Sequence, residues 1–171
     1  MYGKRQMFPN PTALPAATKT ALKRPPKDAV NAMLSFVYTL IASDVTAALE
    51  TVGLDPYVGF FHTLRPGRPS LALDMMEELR AYLGDRLVLS LINKRQISIR
   101  EFISQGEEGI AMTESGRKIL LTAWQNRKKE TITHPYLEEK IPIGLIPYAQ
   151  AMLLARYIRN DLDNYPVFLI S

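Results

Sequence analysis

The sequence contains no cysteine, which excludes disulfide bonds, thiolate metal sites and cysteine nucleophiles. Its longest apolar run, Met33 to Ala42, is shorter than the roughly 20 residues that span a bilayer. It has no G-x-x-x-x-G-K-[ST], G-x-G-x-x-G or G-x-S-x-G pattern, which weighs against a nucleotide-binding loop or a serine hydrolase. The N-terminal residues are basic but lack the apolar core of a signal peptide. We therefore expect a cytoplasmic protein without membrane segments.

Acidic residues are absent from the first 27 positions, which carry six basic residues and five of the twelve prolines. The formal net charge is +4, but the residues from 28 onward hold 15 of the 21 basic side chains against all 17 acidic ones. The excess positive charge therefore belongs to residues 1–27. We predict that this segment is an extended or disordered basic arm that favours a polyanionic partner.

Apolar residues recur at helical spacing through most of residues 28–171, which predicts one mainly α-helical lobe. Asp28 is a predicted N-cap of the first helix, and Gly53 a predicted C-cap. Ser70 is expected to cap a second helix that Gly84-Asp85 breaks, and the glycine-bearing QGEEG segment resembles the turn of one small hairpin. Further helices are predicted over Arg86 to Asn93, from Thr113 to about Lys129, and from Ile143 to about Leu162, followed by an apolar tail that docks on the body.

A histidine and two acids are the residues with the clearest chemical potential. His62 ends a short apolar segment ahead of an Arg/Pro/Gly loop, and Asp74 and Glu77 follow one helical turn apart, so their carboxylates share one side of a helix. One imidazole nitrogen with carboxylate oxygens suits manganese or magnesium better than zinc. Arg65 and Arg68, in the loop between them, are candidate contacts to a DNA phosphate.

Ordinary structural roles compete with each of these assignments. From spacing alone, a packed histidine and a solvated acidic helix face are favoured over a metal site. Asn31, Ser35 and Tyr38 lie in line on the predicted polar side of the first helix and could contact DNA, but polar residues are expected there in any amphipathic helix. Arg65 and Arg68 could equally be solubilising, and His134 is predicted to be structural.

The order of several motifs then resembles a known family. The run NAMLSFVYTLIASDVTAALETVGLDPYVGFFHTLRPGRPSLALDMMEELR is similar to the core of the CRISPR-associated endonuclease and integrase family, the larger subunit of the spacer-acquisition complex. The similarity continues through LINKRQI, TESGRK, HPYLEEKIPIGLIPYAQAMLLARYIR and DLDNYPVFL, from about Arg24 to Ser171. Together these motifs are far more specific than a D-x-x-E pair, and they favour the chemical interpretation.

The resemblance implies a helical catalytic lobe of a DNA endonuclease and integrase that acts in spacer acquisition and antiviral defence. His62 and Glu77 match the family's metal ligands for Mn²⁺ or Mg²⁺, and Asp74 matches the acid one turn before Glu77; all three are then catalytic candidates. The implied partners are double-stranded DNA (prespacer and CRISPR repeat), a second copy of the chain in a homodimer, and the smaller CRISPR-associated subunit.

One departure from the family pattern bears on activity. The family has an N-terminal β-rich domain and a glutamate in a Glu-Gly context that completes the metal site, whereas this sequence has no glutamate before Glu50. Loss of one ligand should weaken a metal site. We therefore expect a truncated, split or mis-started family member with residual or no activity of its own. The alternative is a catalytically inactive helical fragment that binds DNA or serves assembly.

Overall fold

The computed structural model describes residues 28–62, 66–106 and 109–170. This part of the chain is built mainly from helices, with short strands between them. The helices are α1 (Ala29–Thr51), α2 (Ser70–Leu79), α3 (Arg86–Asn93), α4 (Glu114–Lys129) and α5 (Ile146–Ile158). The strands are β1 (Phe102–Ser104), β2 (Ile110–Met112), β3 (Thr131–Thr133) and β4 (Lys140–Pro142). The predicted mainly α class is confirmed, while residues 1–27 lie outside the described residues.

Helix α1 is the central element, and both of its predicted ends are confirmed. The Asp28 side chain accepts a hydrogen bond from the Asn31 backbone amide at 2.8 Å, which satisfies one of the free amides of the first turn. Gly53 follows the helix with a φ of +80°, a conformation that side chains rarely adopt. The buried face of α1 packs against α2 and α5 and forms the centre of the hydrophobic core.

Helices α2 and α3 are joined without a break, which corrects the prediction at Gly84-Asp85. A π-helical segment, Arg80–Asp85, continues α2 directly into α3. A Cβ on Gly84 would lie 2.9 Å from Cε1 of Tyr38, so the glycine lets this segment approach α1 closely instead of ending the helix. Ser70 is the first residue of α2, and its hydroxyl makes no capping bond, so its predicted N-cap role is also wrong.

The described residues contain two antiparallel hairpins, where at most one was predicted. The expected hairpin pairs β1 with β2 around the QGEEG segment, with Phe102 opposite Met112. The second hairpin pairs β3 with β4, with Thr131 opposite Pro142. Its strands are three residues long and lie on either side of the His134-Pro135 break, too short for a periodic pattern to show in the sequence.

The C-terminal half closes the core. Thr113 caps α4 as predicted, through a hydrogen bond from the Gly116 amide to its hydroxyl. A short 3₁₀ turn precedes α5, in which Pro147 occupies the first turn, where its missing N–H costs no helical hydrogen bond. The predicted docking of the tail is confirmed, because Tyr165 and Phe168 are buried in the core.

Helix α1 also bears on the question of membrane segments. With 23 residues and high mean hydropathy, it is long and apolar enough to cross a bilayer by length and composition alone. The same side chains that give it this hydropathy, including Val37, Ile41 and Leu49, are buried in the core. The length and hydropathy of α1 are therefore explained by its position as the central core helix of the fold.

Candidate functional site

A buried carboxylate of α2 accepts hydrogen bonds from the loop that follows α1. Asp74, whose side chain is fully buried, accepts hydrogen bonds from the backbone amides of Phe60, Phe61 and His62 at 2.6, 3.0 and 3.2 Å. Three successive amides that point to one carboxylate fix the path of the loop. Two further hydrogen bonds, from the backbone amides of Leu71 and Ala72 to the Pro56 carbonyl oxygen, also join the loop to α2.

The same carboxylate orients the His62 ring. His62 Nδ1 lies 2.5 Å from Asp74 Oδ1. Because an ionised carboxylate can only accept a hydrogen bond, Nδ1–H is the donor. In the neutral ring Nε2 then carries the lone pair, and the side chain is partly exposed, at 26%. A histidine whose second nitrogen is held by a carboxylate is the usual arrangement of a metal-ligating or proton-transferring imidazole.

Gly59 allows this arrangement because there is no room for a side chain at its position. A Cβ there would lie 2.7 Å from the backbone carbonyl carbon of Ser70 and 2.8 Å from Asp74 Oδ2. The loop therefore touches the first turn of α2 directly. The close approach brings the amides after Gly59 within hydrogen-bonding distance of Asp74.

Glu77, one turn after Asp74, has a different environment. Its side chain is about one-third exposed, and Oε2 accepts a hydrogen bond from Arg80 Nη1 at 3.0 Å. Arg80 is buried, and its guanidinium lies over the Tyr38 ring, 4.6 Å from the centroid. Glu77 is therefore a partly exposed carboxylate whose position is set by a buried cation.

The predicted triad is brought together only in part. The structure places His62 against Asp74, and Glu77 one helical turn further on α2. Among the described residues, no group of three histidine, aspartate or glutamate side chains is arranged to hold a metal ion. The available donors, one imidazole nitrogen and one partly exposed carboxylate, are of the kind that Mn²⁺ and Mg²⁺ accept, but their number falls short of a complete site.

The predicted DNA contacts are distributed unevenly. Arg65 lies outside the described residues, and Arg68 is half-buried two residues before α2. Asn31 donates from its side-chain amide to Asp28 at 2.7 Å, which makes it part of the helix cap. Ser35 is half-buried on α1.

Tyr38 is not on an exposed polar side of α1, which corrects that prediction. It is 4% exposed, and its hydroxyl donates to Asp85 Oδ1 at 2.6 Å. Burial, with the hydrogen bond to Asp85, raises the pKa of the Tyr38 phenol above its usual range. Tyrosine has an apolar ring and a polar hydroxyl, so a helical pattern alone does not show whether it faces the core or the solvent. Here the ring is buried and the hydroxyl is hydrogen-bonded inside the protein.

Behind the site, Glu78 ties α2 to the C-terminal tail. Its carboxylate accepts hydrogen bonds from the Tyr165 hydroxyl at 2.5 Å, the Phe168 amide at 2.8 Å and the Gln150 side-chain amide at 3.2 Å. Burial raises the pKa of Glu78, although these hydrogen bonds act in the opposite direction. The network fixes the far side of the helix that carries Asp74 and Glu77.

Comparisons with known proteins show the family of the chain. The family model for CRISPR associated protein Cas1 matches residues 16–126. The chain is 58% identical over 147 residues to CRISPR-associated endonuclease Cas1 1 of Chlorobaculum tepidum, which covers 86% of this chain and 43% of that protein. The chain belongs to the Cas1 family.

Solved structures of Cas1 proteins share the fold. A Cas1 protein from Thermotoga maritima superposes with a TM-score of 0.73 at 26% identity, over 80% of this chain and 42% of the other. A partial Cas6-RT-Cas1–Cas2 complex contains a chain that matches with a TM-score of 0.69 at 26% identity, over 87% of this chain and 43% of that chain. The chain thus spans less than half the length of these Cas1 relatives.

Sequence reasoning missed two residues that shape the candidate site. Gly59 and Arg80 look unremarkable in sequence, because one is a loop glycine and the other an arginine near the end of a helical run. Only the i, i+3 spacing of Glu77 and Arg80 could have indicated their ion pair. The contact between Gly59 and α2 depends on tertiary packing, and no local pattern indicates it.

Proposed function

We propose that this chain carries the histidine side of the metal site of a DNA endonuclease and integrase of CRISPR adaptation. Membership of the Cas1 family supports the reaction class, and Cas1 relatives are named endonucleases. The observation that carries the assignment is the His62–Asp74 pair, because the carboxylate orients the imidazole through Nδ1 and does not occupy Nε2, and because the partly exposed Glu77 follows Asp74 by one helical turn.

The three predicted residues take different roles in this proposal. His62 Nε2 and the Glu77 carboxylate are the groups that would hold Mn²⁺ or Mg²⁺. Asp74 is better suited to positioning His62 than to ligation, because its oxygens already accept four hydrogen bonds from the loop. Arg80 holds Glu77 in place, and its buried charge limits how far that side chain can move.

A bound Mn²⁺ or Mg²⁺ would supply polarisation of a phosphoryl oxygen and stabilisation of the charge that develops on it during displacement. This chain's own contribution is positional. Asp74 keeps the proton on His62 Nδ1, which fixes the tautomer, and the three loop amides prevent the ring from moving away from α2. Such preorganisation is what metal-assisted phosphodiester chemistry needs from the protein.

The site requires at least one further acidic ligand. The described residues contain no third donor in a suitable place, and the sequence has no glutamate before Glu50 that could match the family's Glu-Gly element. We therefore include in the proposal that the missing carboxylate does not come from the described residues. Metal affinity should then be weak in the isolated chain.

The substrates and partners follow from the family. We propose double-stranded DNA, as prespacer and CRISPR repeat, as the substrate, and a homodimer of the chain as the functional unit. A Cas2 subunit is the proposed protein partner, because a structural relative is part of a Cas1–Cas2 complex. Arg65 and Arg68, in the loop between His62 and α2, remain proposed phosphate contacts.

A nicking assay on branched double-stranded DNA tests the endonuclease proposal. We expect weak nicking in Mn²⁺ that EDTA abolishes and His62→Ala eliminates. Lys140→Ala, which removes an exposed cation on β4, is the matched control and should nick like the unmodified chain. Nicking that His62→Ala leaves unchanged would contradict the site assignment.

A second candidate function is a non-catalytic DNA-binding or assembly module. It is favoured by the absence of a three-ligand cluster within the described ranges. Its DNA binding would not require metal, would fall steeply with added salt, and would disappear on deletion of basic residues 1–27. A metal-independent DNA complex without any cleavage product would support this function over the first.

A further inference from the structure

The π-helical segment Arg80–Asp85 brings its first and last side chains to one side of the helix. Five residues make about 1.4 turns of an α-helix, which would point these two side chains in different directions. In a π-helix, hydrogen bonds join residues five positions apart, so side chains at that spacing lie above one another. Both side chains therefore reach the same residue of α1, Tyr38.

Tyr38 contacts the two side chains through different parts of its phenol. The Arg80 guanidinium lies over the face of the ring, with Cζ 4.6 Å from the centroid. The hydroxyl donates a hydrogen bond to Asp85 Oδ1 at 2.6 Å. Burial raises the pKa of this hydroxyl above its usual range, so the hydroxyl stays protonated and remains a donor. One phenol thus contacts a cation and a carboxylate at the same time.

The position of the Tyr38 ring is fixed by packing. The residue is 4% exposed, and a Cβ on Gly84 would lie 2.9 Å from Cε1 of the ring. The ring therefore packs directly against the backbone of the π-helical segment, in a space that only a glycine leaves open. Its face and its hydroxyl are held in place relative to both Arg80 and Asp85.

The charges around Tyr38 have an alternative pairing that the structure does not use. Within the described ranges, buried Arg80 makes one ion pair, from Nη1 to Glu77 Oε2 at 3.0 Å, and its Nε has no hydrogen-bond partner. The Asp85 carboxylate has no cationic partner in the same part of the chain. Because a guanidinium offers five donors, Asp85 is a competitor of Glu77 for Arg80. The hydroxyl of Tyr38 satisfies Asp85 and leaves Arg80 to Glu77.

We propose that Tyr38 is a positioning residue for Glu77: its ring supports the Arg80 guanidinium, and its hydroxyl keeps Asp85 from pairing with that guanidinium. This role rests on the proposed function, in which Glu77 is a metal ligand. Asp74 positions His62 and the Tyr38–Arg80 contact positions Glu77, so the two proposed ligands have separate supports. The π-helical segment then serves the site, because only its register brings both charges to one phenol.

Urea unfolding in EDTA tests this role without any metal. Glu77→Gln removes the charge that pairs with Arg80 and should lower the folding equilibrium constant about fivefold. In a Tyr38→Phe background, which keeps the ring and loses the hydroxyl, the same substitution should have less than about a twofold effect, since Asp85 then competes for Arg80. Fluorescence of Trp124, the single tryptophan, follows the unfolding.

Two further backgrounds separate positioning from a merely structural role. Tyr38→Phe/Asp85→Asn lacks the hydroxyl but also lacks the competing charge, so the full effect of Glu77→Gln should return. Tyr82→Phe is the matched control, because it removes a hydroxyl from the same π-helical segment without touching Asp85, and it should leave the effect of Glu77→Gln unchanged. A general loss of packing at Tyr38 would not be rescued by the substitution of Asp85.

Binding of Mn²⁺, measured by the EPR signal of the free ion, extends the test to the metal site. Tyr38→Phe should weaken binding, and Tyr38→Phe/Asp85→Asn should regain it. An equal effect of Glu77→Gln in the unmodified and Tyr38→Phe backgrounds, or no return of the effect with Asp85→Asn, would overturn the positioning role. The expected unfolding results without Mn²⁺ binding in any variant would contradict the metal site and still support the positioning of Glu77.

Discussion

Asp74 illustrates what residue spacing can and cannot predict. The sequence correctly indicated that His62, Asp74 and Glu77 lie on neighbouring elements, because the acids share a helix face that follows the histidine loop. It could not distinguish a ligand from a residue that positions a ligand, since both are carboxylates at helical spacing. Burial and the backbone amides of the loop, which depend on tertiary packing, support the positioning role that we propose for Asp74.

Replacement of Asp74 should affect both stability and the state of His62. Three backbone amides and an imidazole donate hydrogen bonds to the Asp74 carboxylate, and Asp74→Asn replaces this acceptor with a neutral amide. We expect the free energy of unfolding to fall by about 1–3 kcal/mol. The proton of His62 should then exchange between both ring nitrogens. Nitrogen-15 NMR of the imidazole measures this directly, and an unchanged Nδ1–H tautomer in the variant would contradict the positioning role.

Gly59 offers a test of the loop that does not touch a charged group. Gly59→Ala places a methyl group against the Ser70 backbone and Asp74, so the loop must move and the variant should lose about 1–3 kcal/mol of stability. Val58→Ala, at the neighbouring exposed position, is the control and should unfold like the unmodified chain. Urea unfolding monitored by Trp124 fluorescence compares the two, and equal midpoints would exclude the close approach at Gly59.

At the scale of elements, long periodic segments were predicted well and connections were not. α1, α3 and α4 lie where periodicity and capping residues predicted them, because each of these helices has an apolar face long enough to show in the sequence. Gly84-Asp85 was interpreted as a break because glycine is usually unfavourable in a helix. Its actual role is to let the π-helical segment pack against Tyr38, which only the three-dimensional contact shows.

The tight contact at Gly84 leads to an element-scale prediction. Gly84→Ala raises helix propensity, yet the new methyl group would approach Tyr38 and Ile41 of α1, so we expect a net loss of about 1–3 kcal/mol. Ala81→Ser, at an exposed position of the same segment, is the control. If thermal unfolding shows that Gly84→Ala is more stable than the unmodified chain, the packing explanation is wrong.

At the scale of the whole molecule, a buried polar network joins segments that are far apart in sequence. His134 Nε2 contacts Gln150 Oε1 at 3.1 Å, and Gln150 donates to Glu78 on α2 and to Tyr165 in the tail. The docking of the tail was predictable from its apolar residues. The partners of Glu78 and His134 were not, because hydrogen bonds between residues 15 to 90 positions apart leave no local pattern.

The state of His134 predicts how stability depends on pH. Its Nδ1 accepts hydrogen bonds from the backbone amides of Tyr136 and Leu137, so the buried ring is neutral, and desolvation by burial lowers its pKa below the ordinary 6.5. The unfolded chain then binds the proton more readily than the folded chain. The stability that the neutral ring contributes is fully present above pH 6.5 and is lost as the pH falls toward the folded pKa.

Urea unfolding at about pH 7.5 and about pH 5 measures this dependence. The unmodified chain should lose stability at the lower pH, and His134→Gln should show a smaller loss because it has no group to protonate. His62→Gln serves as the control and should keep the dependence that comes from His134. An equal loss in the unmodified chain and His134→Gln would show that His134 is not the responsible group.

The central claim is that His62, oriented by Asp74, is the metal-binding histidine of a Cas1-family site. The chain has only two histidines, so NMR of the imidazole protons during a Mn²⁺ titration tests it most directly, with buried His134 as the internal control. We predict that paramagnetic broadening affects His62 first and leaves His134 sharp. Broadening of His134 before His62, or equal broadening of both, would contradict the claim.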